Sequence, residues 1–252
     1  MDIKVPLIKS NSDTILELIN SDKSIIRFGD GDFNIMEGNN ICFQNSQPLL
    51  AERLKQIIAD DDKNLLVGIP YPYYECSTNL TTASQKFILN WFSKWHKIMA
   101  KYYNYSRIYY STHISQMHPV YSIYDFETHY NNFKQVWNNK KITIITGDRV
   151  YNNVEYNIFG NAAEISYIFG PTENAFDKYN ELKTQLQNVD KDNILIFALG
   201  PAGKVLAYDM YKLGYRVLDL GHLIKDYDFY KKSKSMTDAE WNMNRASFFK
   251  KD

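Results

Sequence analysis

Two cysteines, Cys42 and Cys76, are all that this chain of 252 residues carries. That excludes a disulfide framework and fits a reducing compartment, where lone cysteines pack as small, partly buried groups. No run of eighteen apolar residues occurs, and the start Met1-Asp2-Ile3-Lys4-Val5 lacks the apolar stretch of a signal peptide. The expectation is a soluble, unsecreted, cytoplasmic protein. Net charge is missing too, because 29 basic residues cancel 29 acidic ones. No long-range field then recruits nucleic acid or an anionic membrane, and a small, locally bound substrate fits better. Internal repeats, low-complexity tracts and convincing linkers are also missing. With 44% apolar residues the chain reads as one domain over 1–252, with a core of about 20–230 and a loosely packed C-terminal extension over 231–252. Twenty Tyr and four Trp suffice for a sugar-stacking surface, although core and rim packing accounts for most such rings.

What is present is an alternation of short β-branched runs with longer segments of helical spacing. This predicts an α/β, Rossmann-like fold, a mostly parallel sheet with helices on both faces. The spacing predicts strands over Ser24–Gly29, Asn64–Pro70, Arg107–Ser111, Lys141–Gly147, Glu164–Gly170, Asn193–Gly200 and Tyr215–Gly221. It predicts helices over Pro48–Ala59, Ala83–Tyr102, Phe126–Trp137, Ala175–Leu186 and Ala202–Leu213. In the first, Leu49, Leu50, Leu54, Ile57 and Ile58 share the face that covers a sheet.

Open parallel sheets take ligands outside the carboxyl ends of their strands. Asp30-Gly31-Asp32 lies at such an end, in what reads as a loop, and its hard carboxylate oxygens suit Mg²⁺ or Mn²⁺ bridging to a substrate phosphate. Thr146-Gly147-Asp148, Leu199-Gly200-Pro201 and Leu220-Gly221-His222 fall on the same edge. At Gly200-Pro201-Ala202-Gly203-Lys204 the N–H groups of a helix start can receive a phosphate and Lys204 can add charge. The spacing is neither a Walker A loop nor a dinucleotide fingerprint. His222 can ligate a metal or touch a substrate oxygen. His113 and His118, with Ser111, Thr112, Ser115 and Gln116, read as a solvated loop. Arg27, inside an apolar strand, requires a carboxylate or phosphate partner, and Asp30 or Asp219 is available.

The ordered set Arg27-Phe28-Gly29-Asp30-Gly31-Asp32-Phe33, Phe43-Gln44, Trp137 before Lys141-Ile142-Thr143-Ile144-Ile145-Thr146-Gly147, Asn174-Ala175-Phe176, Ala198-Leu199-Gly200-Pro201 and Asp219-Leu220-Gly221-His222 resembles the GT-D glycosyltransferases of bacterial surface-glycan synthesis. The likeness runs from about Ile25 to Tyr227. It implies a Rossmann-like single domain using a nucleotide sugar, typically UDP-glucose, with Mn²⁺ at an Asp-x-Glu motif. Here the second acid is Asp32, one methylene shorter, as in the Asp-x-Asp of other glycosyltransferases.

The resemblance thus implies a hexosyltransferase with Mn²⁺ or Mg²⁺ held by Asp30, Asp32 and His222. Its UDP-sugar would meet Arg27, Gly29, Gly31, Gly200, Pro201, Gly203, Lys204 and Asp219, with Asp30, Asp32 and Asp148 at the chemistry. The acceptor would be a glycan, a lipid-linked oligosaccharide or a glycoprotein of a capsule, exopolysaccharide or protein-glycan system. Approach to the inner face of the membrane and homo-oligomerisation are compatible with that role. If configuration inverts, Asp148, Glu75 or Asp219 can act as general base, and the sequence does not choose. Two alternatives compete. One is a haloacid-dehalogenase-like Mg²⁺ phosphatase, against which stand Arg27 and Gly29 in the nucleophile's strand and the lack of a second acid after Gly147-Asp148. The other is a non-catalytic nucleotide-binding partner subunit, against which stands the intact Asp30/Asp32 pair.

Overall fold

The structure, a computed structural model, describes residues 5–71, 78–148, 154–237, 240 and 243. The chain runs β1 (Leu7–Ile8), α1 (Asn11–Ile19), β2 (Ser24–Arg27), α2 (Asp30–Met36), α3 (Pro48–Ala59), β3 (Leu65–Ile69), α4 (Thr82–Ala100) and β4 (Ile108–Ser111). It continues through α5 (Met117–Val120), α6 (Phe126–Val136), β5 (Lys141–Gly147), β6 (Glu164–Gly170), α7 (Tyr179–Gln187), β7 (Ile194–Ala198), α8 (Gly200–Lys212), β8 (Val217–Asp219) and α9 (Leu223–Ser233). The eight strands form one sheet in the order β1-β4-β3-β2-β8-β7-β5-β6. Every pairing in it is parallel.

Crossover direction decides which face each helix covers. Connections that step toward β1 carry α2, α3, α4, α7 and α8, and bury Phe33, Leu54, Trp95, Leu182 and Leu206 in one cluster. Connections that step toward β6 carry α1, α6 and the segment before β6, and bury Ile15, Phe133 and Phe159 in the other, which α9 joins through Ile224. A single handedness of β-α-β crossover requires this division. The loops leaving β2 and β8, neighbours at mid-sheet, therefore part to opposite faces, the arrangement at which open parallel sheets take their ligands.

The predicted strands stand, shortened at several ends, and the predicted helices stand within a few residues. Several expectations are corrected. The core begins before residue 20, because β1 and α1 join the sheet and its cover. Ser10 caps α1 by accepting the Asp13 N–H at 3.1 Å. Asp30-Gly31-Asp32 opens a helix rather than a loop. Leu49 is 55% exposed, while Leu50, Leu54, Ile57 and Ile58 are buried as expected. Cys42 is exposed, and Cys76 lies outside the described residues, as does Glu75. The stretch Ser111–Met117 is buried apart from Gln116, not a solvated loop. Its burial is compensated by Asp226 of α9, whose fully buried carboxylate accepts the N–H groups of Met117 at 2.9 Å and His118 at 3.1 Å and the Tyr130 hydroxyl at 2.8 Å.

Two predictions follow from this packing. Asp226→Asn puts an amide N–H among three donors and should cost about 2–4 kcal/mol, read as a fall in Tm of roughly 5–15 °C. His113 is held neutral, its pKa pushed down to about 3 by burial and by the Arg27 charge. Burial pushes His129 down to about 4 despite its ring contact with the Ile114 carbonyl oxygen at 2.7 Å. Between the unfolded value near 6.5 and these folded values the unfolded chain binds more protons, so stability is full above pH 6.5 and falls as pH drops toward 4. Urea midpoints across pH 7 to 4 check this, and His129→Gln should make the decline shallower.

Candidate active site

Arg27 ends β2 between two buried strands and is 8% exposed. A charge there needs compensation, and β8 supplies it through Asp219. The Arg27 N–H donates to Asp219 Oδ2 at 3.0 Å, Nε donates to the Asp219 carbonyl, and the guanidinium lies 3.5 Å from Asp219 Oδ1. The remaining arm donates to the Thr112 carbonyl at 2.7 Å. Of the two partners the sequence allowed, the structure thus selects Asp219. Gly221 makes room: its φ is +46°, and a Cβ there would meet the guanidinium at 2.6 Å.

Next to this pair, Gly29 caps α2 and Asp32, at the third helical position, turns back so that Oδ2 accepts the Gly29 N–H at 2.8 Å. Asp32 Oδ1 lies 3.4 Å from Lys204 Nζ, which also lies 3.6 Å from Asp219 Oδ2. All four charges are buried: Arg27 and Lys204 at 8% exposure, Asp32 at 5% and Asp219 at 4%. Two cations and two anions sum to zero, which is what permits the cluster to sit under the sheet's carboxyl edge. Burial still raises the Asp32 pKa, against the opposing pull of Lys204 and the Gly29 N–H.

Asp30 is different. It is half-buried, and no described cation lies within ion-pair reach of its carboxylate. Burial raises its pKa, opposed only by backbone hydrogen bonds at Gly31 and Asp30 itself. A bound cation would reverse that shift. His222, at the N-cap of α9, retains solvent exposure. Its pKa is pushed down to about 4 by the surrounding protein and then by Arg27, Lys225 and Lys204. The imidazole is therefore neutral at neutral pH.

The structure separates the remaining sequence candidates from this group. At Gly200, φ is +57° and a Cβ would meet the Phe43 ring at 2.7 Å. The Phe43 ring thus packs against the turn into α8 that the sequence reading offered to a phosphate. Phe43 is set by hydrogen bonds of its segment: its carbonyl accepts the Asn174 N–H at 2.8 Å, the Asn174 side chain accepts the Asn45 N–H at 2.8 Å, and Gln44 accepts the Phe176 N–H at 3.2 Å. Pro201 and Gly203 are buried in α8, and the Gly203 N–H is spent on the Leu199 carbonyl. Gly31 sits against Ile41. Asp148 is exposed, accepts the Thr172 hydroxyl at 2.5 Å, and stands at the end of β5, two strands from β8 or about 10 Å along the edge. The sequence reading missed Thr112 as Arg27's third anchor and Phe43 as the cover of Gly200. A carbonyl contact leaves no side-chain signal, whereas Phe43-Gln44 already belonged to the ordered motif set.

Among chains of known structure, one described as a new glycosyltransferase, DUF1792, from Streptococcus sanguinis superposes with a TM-score of 0.83 at 27% identity, covering 91% of this chain and 86% of that one. A second, described as a highly conserved domain with a distinct glycosyltransferase fold, gives 0.84 at 27% identity and covers 90% and 82%. Curated relatives include a probable glycosyl transferase, Gly, of Streptococcus gordonii, 28% identical over 228 residues, and glycosyltransferase GlyD of Streptococcus pneumoniae, 27% identical over 236. These alignments cover 86% and 89% of this chain but only 32% and 28% of the relatives, so the chain spans about a third of their length. The family model for the glycosyltransferase GT-D fold matches residues 25–243, from the strand that carries Arg27 through the whole charge cluster, and the chain belongs to that family.

Proposed function

We propose that the protein transfers a hexose, glucose in the first instance, from a UDP-sugar to a glycan acceptor of a bacterial capsule, exopolysaccharide or glycoprotein. The observation that carries this reading is the compensated charge cluster where β2 and β8 end, with half-buried Asp30 and exposed His222 on the segments that follow those strands. Cleaving a sugar from a diphosphate develops negative charge on the leaving group. A fixed ammonium at Lys204, already desolvated and already in place, meets that charge without reorganisation. Arg27 holds β8 against β2 and so fixes Asp219, one of the two carboxylates beside Lys204.

A divalent metal would find only part of a site at this edge among the described residues. Asp30 offers hard carboxylate oxygens with no competing cation and His222 a neutral nitrogen, but among the described residues no three His, Cys, Asp or Glu side chains gather round one point. Mg²⁺ and Mn²⁺ commonly take waters and substrate phosphates as their other ligands. When bound, such an ion would act as a Lewis acid on the diphosphate. Asp219 is committed to Arg27 and Lys204 and so is poorly placed as a general base. Among the described residues that leaves Asp148, an exposed carboxylate at a strand end on this edge that an acceptor lying along the sheet could reach, while Glu75 lies outside the described residues. Among the described residues no helix is long and apolar enough to cross a membrane.

The experiment is a thermal-shift and hydrolysis panel of UDP-, GDP-, TDP- and CMP-sugars with Mn²⁺, with Mg²⁺ and with chelator. Metal-dependent stabilisation by a UDP-sugar, with slow release of its sugar, is expected. No response to any nucleotide sugar would overturn the reading. Lys204→Ala should weaken UDP binding by roughly tenfold or more, as loss of a charge-assisted contact does; calorimetric titration with UDP reads this directly.

A further inference from the structure

We infer that α4 is a docking face for an anionic lipid surface, which Phe87 and Leu89 enter and whose headgroups Lys86 and Lys97 meet. The inference goes beyond the transferase reading and does not depend on which sugar or nucleotide the protein uses.

The zero net charge of the chain is an average over unequal parts. From Cys76 to Tyr124 there is no Asp or Glu, while Lys86, Lys94, Lys97, Lys101 and Arg107 fall within the stretch. Helix α4 lies inside it and contains the run Lys86-Phe87-Ile88-Leu89-Asn90-Trp91-Phe92-Ser93-Lys94. Five apolar residues at the six positions 87–92 cover about 1.7 turns, more than one face of a helix can bury. The structure shows the outcome. Ile88 is buried in a cluster with Leu80, Met117, Val120 and Tyr121, whereas Phe87 is 47% and Leu89 71% exposed. Ile123, 68% exposed, lies at the same end of the helix, because its N–H donates to the carbonyl of Asn79, three residues before α4 begins.

Lys86 and Lys97 are exposed and stand about three turns apart on the outer side of α4. No described acid pairs with either. The next acids along the chain are occupied: Asp125 accepts the Thr128 N–H at 3.1 Å, and Glu127 lies 3.5 Å from Lys234. Topology sets where this face points. The chain leaves β3 at the carboxyl edge of the sheet and re-enters parallel β4 from the amino edge, so the first turns of α4 lie toward the edge that carries the charge cluster.

Charge and apolar exposure together decide the occupant. A second copy docked here about a twofold axis would bring the same lysines of both chains together. A nucleic acid would accept the lysines but leave Phe87, Leu89 and Ile123 in water. An anionic lipid surface answers both, with its headgroups taking the ammonium groups and its acyl boundary the apolar side chains, the combination that interfacial helices use. An acceptor carried by such a surface would arrive beside the edge that holds Lys204 and Asp219.

The test is co-sedimentation of the full chain with vesicles of phosphatidylglycerol and phosphatidylcholine, or of phosphatidylcholine alone, at low and at high salt. Three double variants accompany it: Lys86→Glu/Lys97→Glu, Phe87→Ser/Leu89→Ser and, as a control with the same change of net charge on the amino side of the sheet, Lys63→Glu/Lys140→Glu. Thermal unfolding is recorded for each, and Leu89→Gln replaces the apolar pair should that pair not fold. The wild type should bind the anionic vesicles, more weakly at high salt, and ignore the neutral ones. Each α4 pair should weaken binding by roughly tenfold or more, and the control pair by less than about threefold.

No binding of the wild type to anionic vesicles overturns the inference, as does equal weakening by the control pair. Loss in the lysine pair alone, with Phe87→Ser/Leu89→Ser binding as the wild type does, marks a general polyanion site and overturns the lipid assignment. Concentration-dependent dimerisation that Phe87→Ser/Leu89→Ser abolishes, without vesicle binding, gives the face to a second copy. None of these outcomes bears on the nucleotide-sugar panel, which is run without lipid.

Discussion

A guanidinium at the end of a central, fully buried strand is the constraint around which the rest is arranged. Arg27 cannot be left uncompensated there, since removing one partner of such a buried pair costs about 3–5 kcal/mol. Its compensation is distributed: a carboxylate and a carbonyl from Asp219 and a carbonyl from Thr112. Each commits a piece of the fold. Asp219 fixes β8 beside β2, Thr112 draws in the buried turn after β4, and Gly221 must lack a side chain. Asp219 in turn leaves a negative charge that Lys204 shares with Asp32, so the start of α2 and the start of α8 are drawn to the same place.

The cluster is costly as a device for stability alone, because apolar side chains of similar volume would hold β2 and β8 together at least as well. Its value lies in preorganisation. Under the proposed transfer from a nucleotide sugar, the charges that a leaving diphosphate would need are already desolvated, already oriented and mutually neutralised, so the resting protein tolerates them. Asp30 is half-buried and His222 exposed, unlike the four charged residues of the cluster. The interior thus supplies fixed charge and the rim supplies donors to whatever enters.

How much of this was legible in the sequence depended on the range of the interaction. Helix α3 was read residue for residue because Pro48 and the spacing of Leu50, Leu54 and Ile57 are local signals. Strands β5 and β6 were read to the residue because long β-branched runs leave little choice. The short β1 carries too few residues to declare itself, and α1 begins on a Ser10 cap that a polar Asn-Ser-Asp start disguises as a turn. For the site, Arg27, Asp32, Lys204 and Asp219 could each be named from residue type at a strand end. Their closure into one neutral cluster, and the turning of Asp32 away from Asp30, could not. Those depend on the helical phase of α2 and on parallel register across strands distant in sequence. The Ser111–Met117 segment misled because its many polar residues are those of a loop, while their partner, Asp226, lies more than a hundred positions on.

The Arg27 to Asp219 contact spans 192 positions of the chain. While the protein is being made, β2 emerges early with its charge and waits for almost the whole sequence before its counter-charge appears. Until then the sheet's middle strand has an open side and an unneutralised guanidinium, and an early, stable half-sheet is disfavoured. Docking of β8 closes the sheet, neutralises Arg27 and brings Lys204 to its second carboxylate at one stroke. Assembly of the charged edge and completion of the fold are then a single event, and a chain interrupted before β8 would have neither.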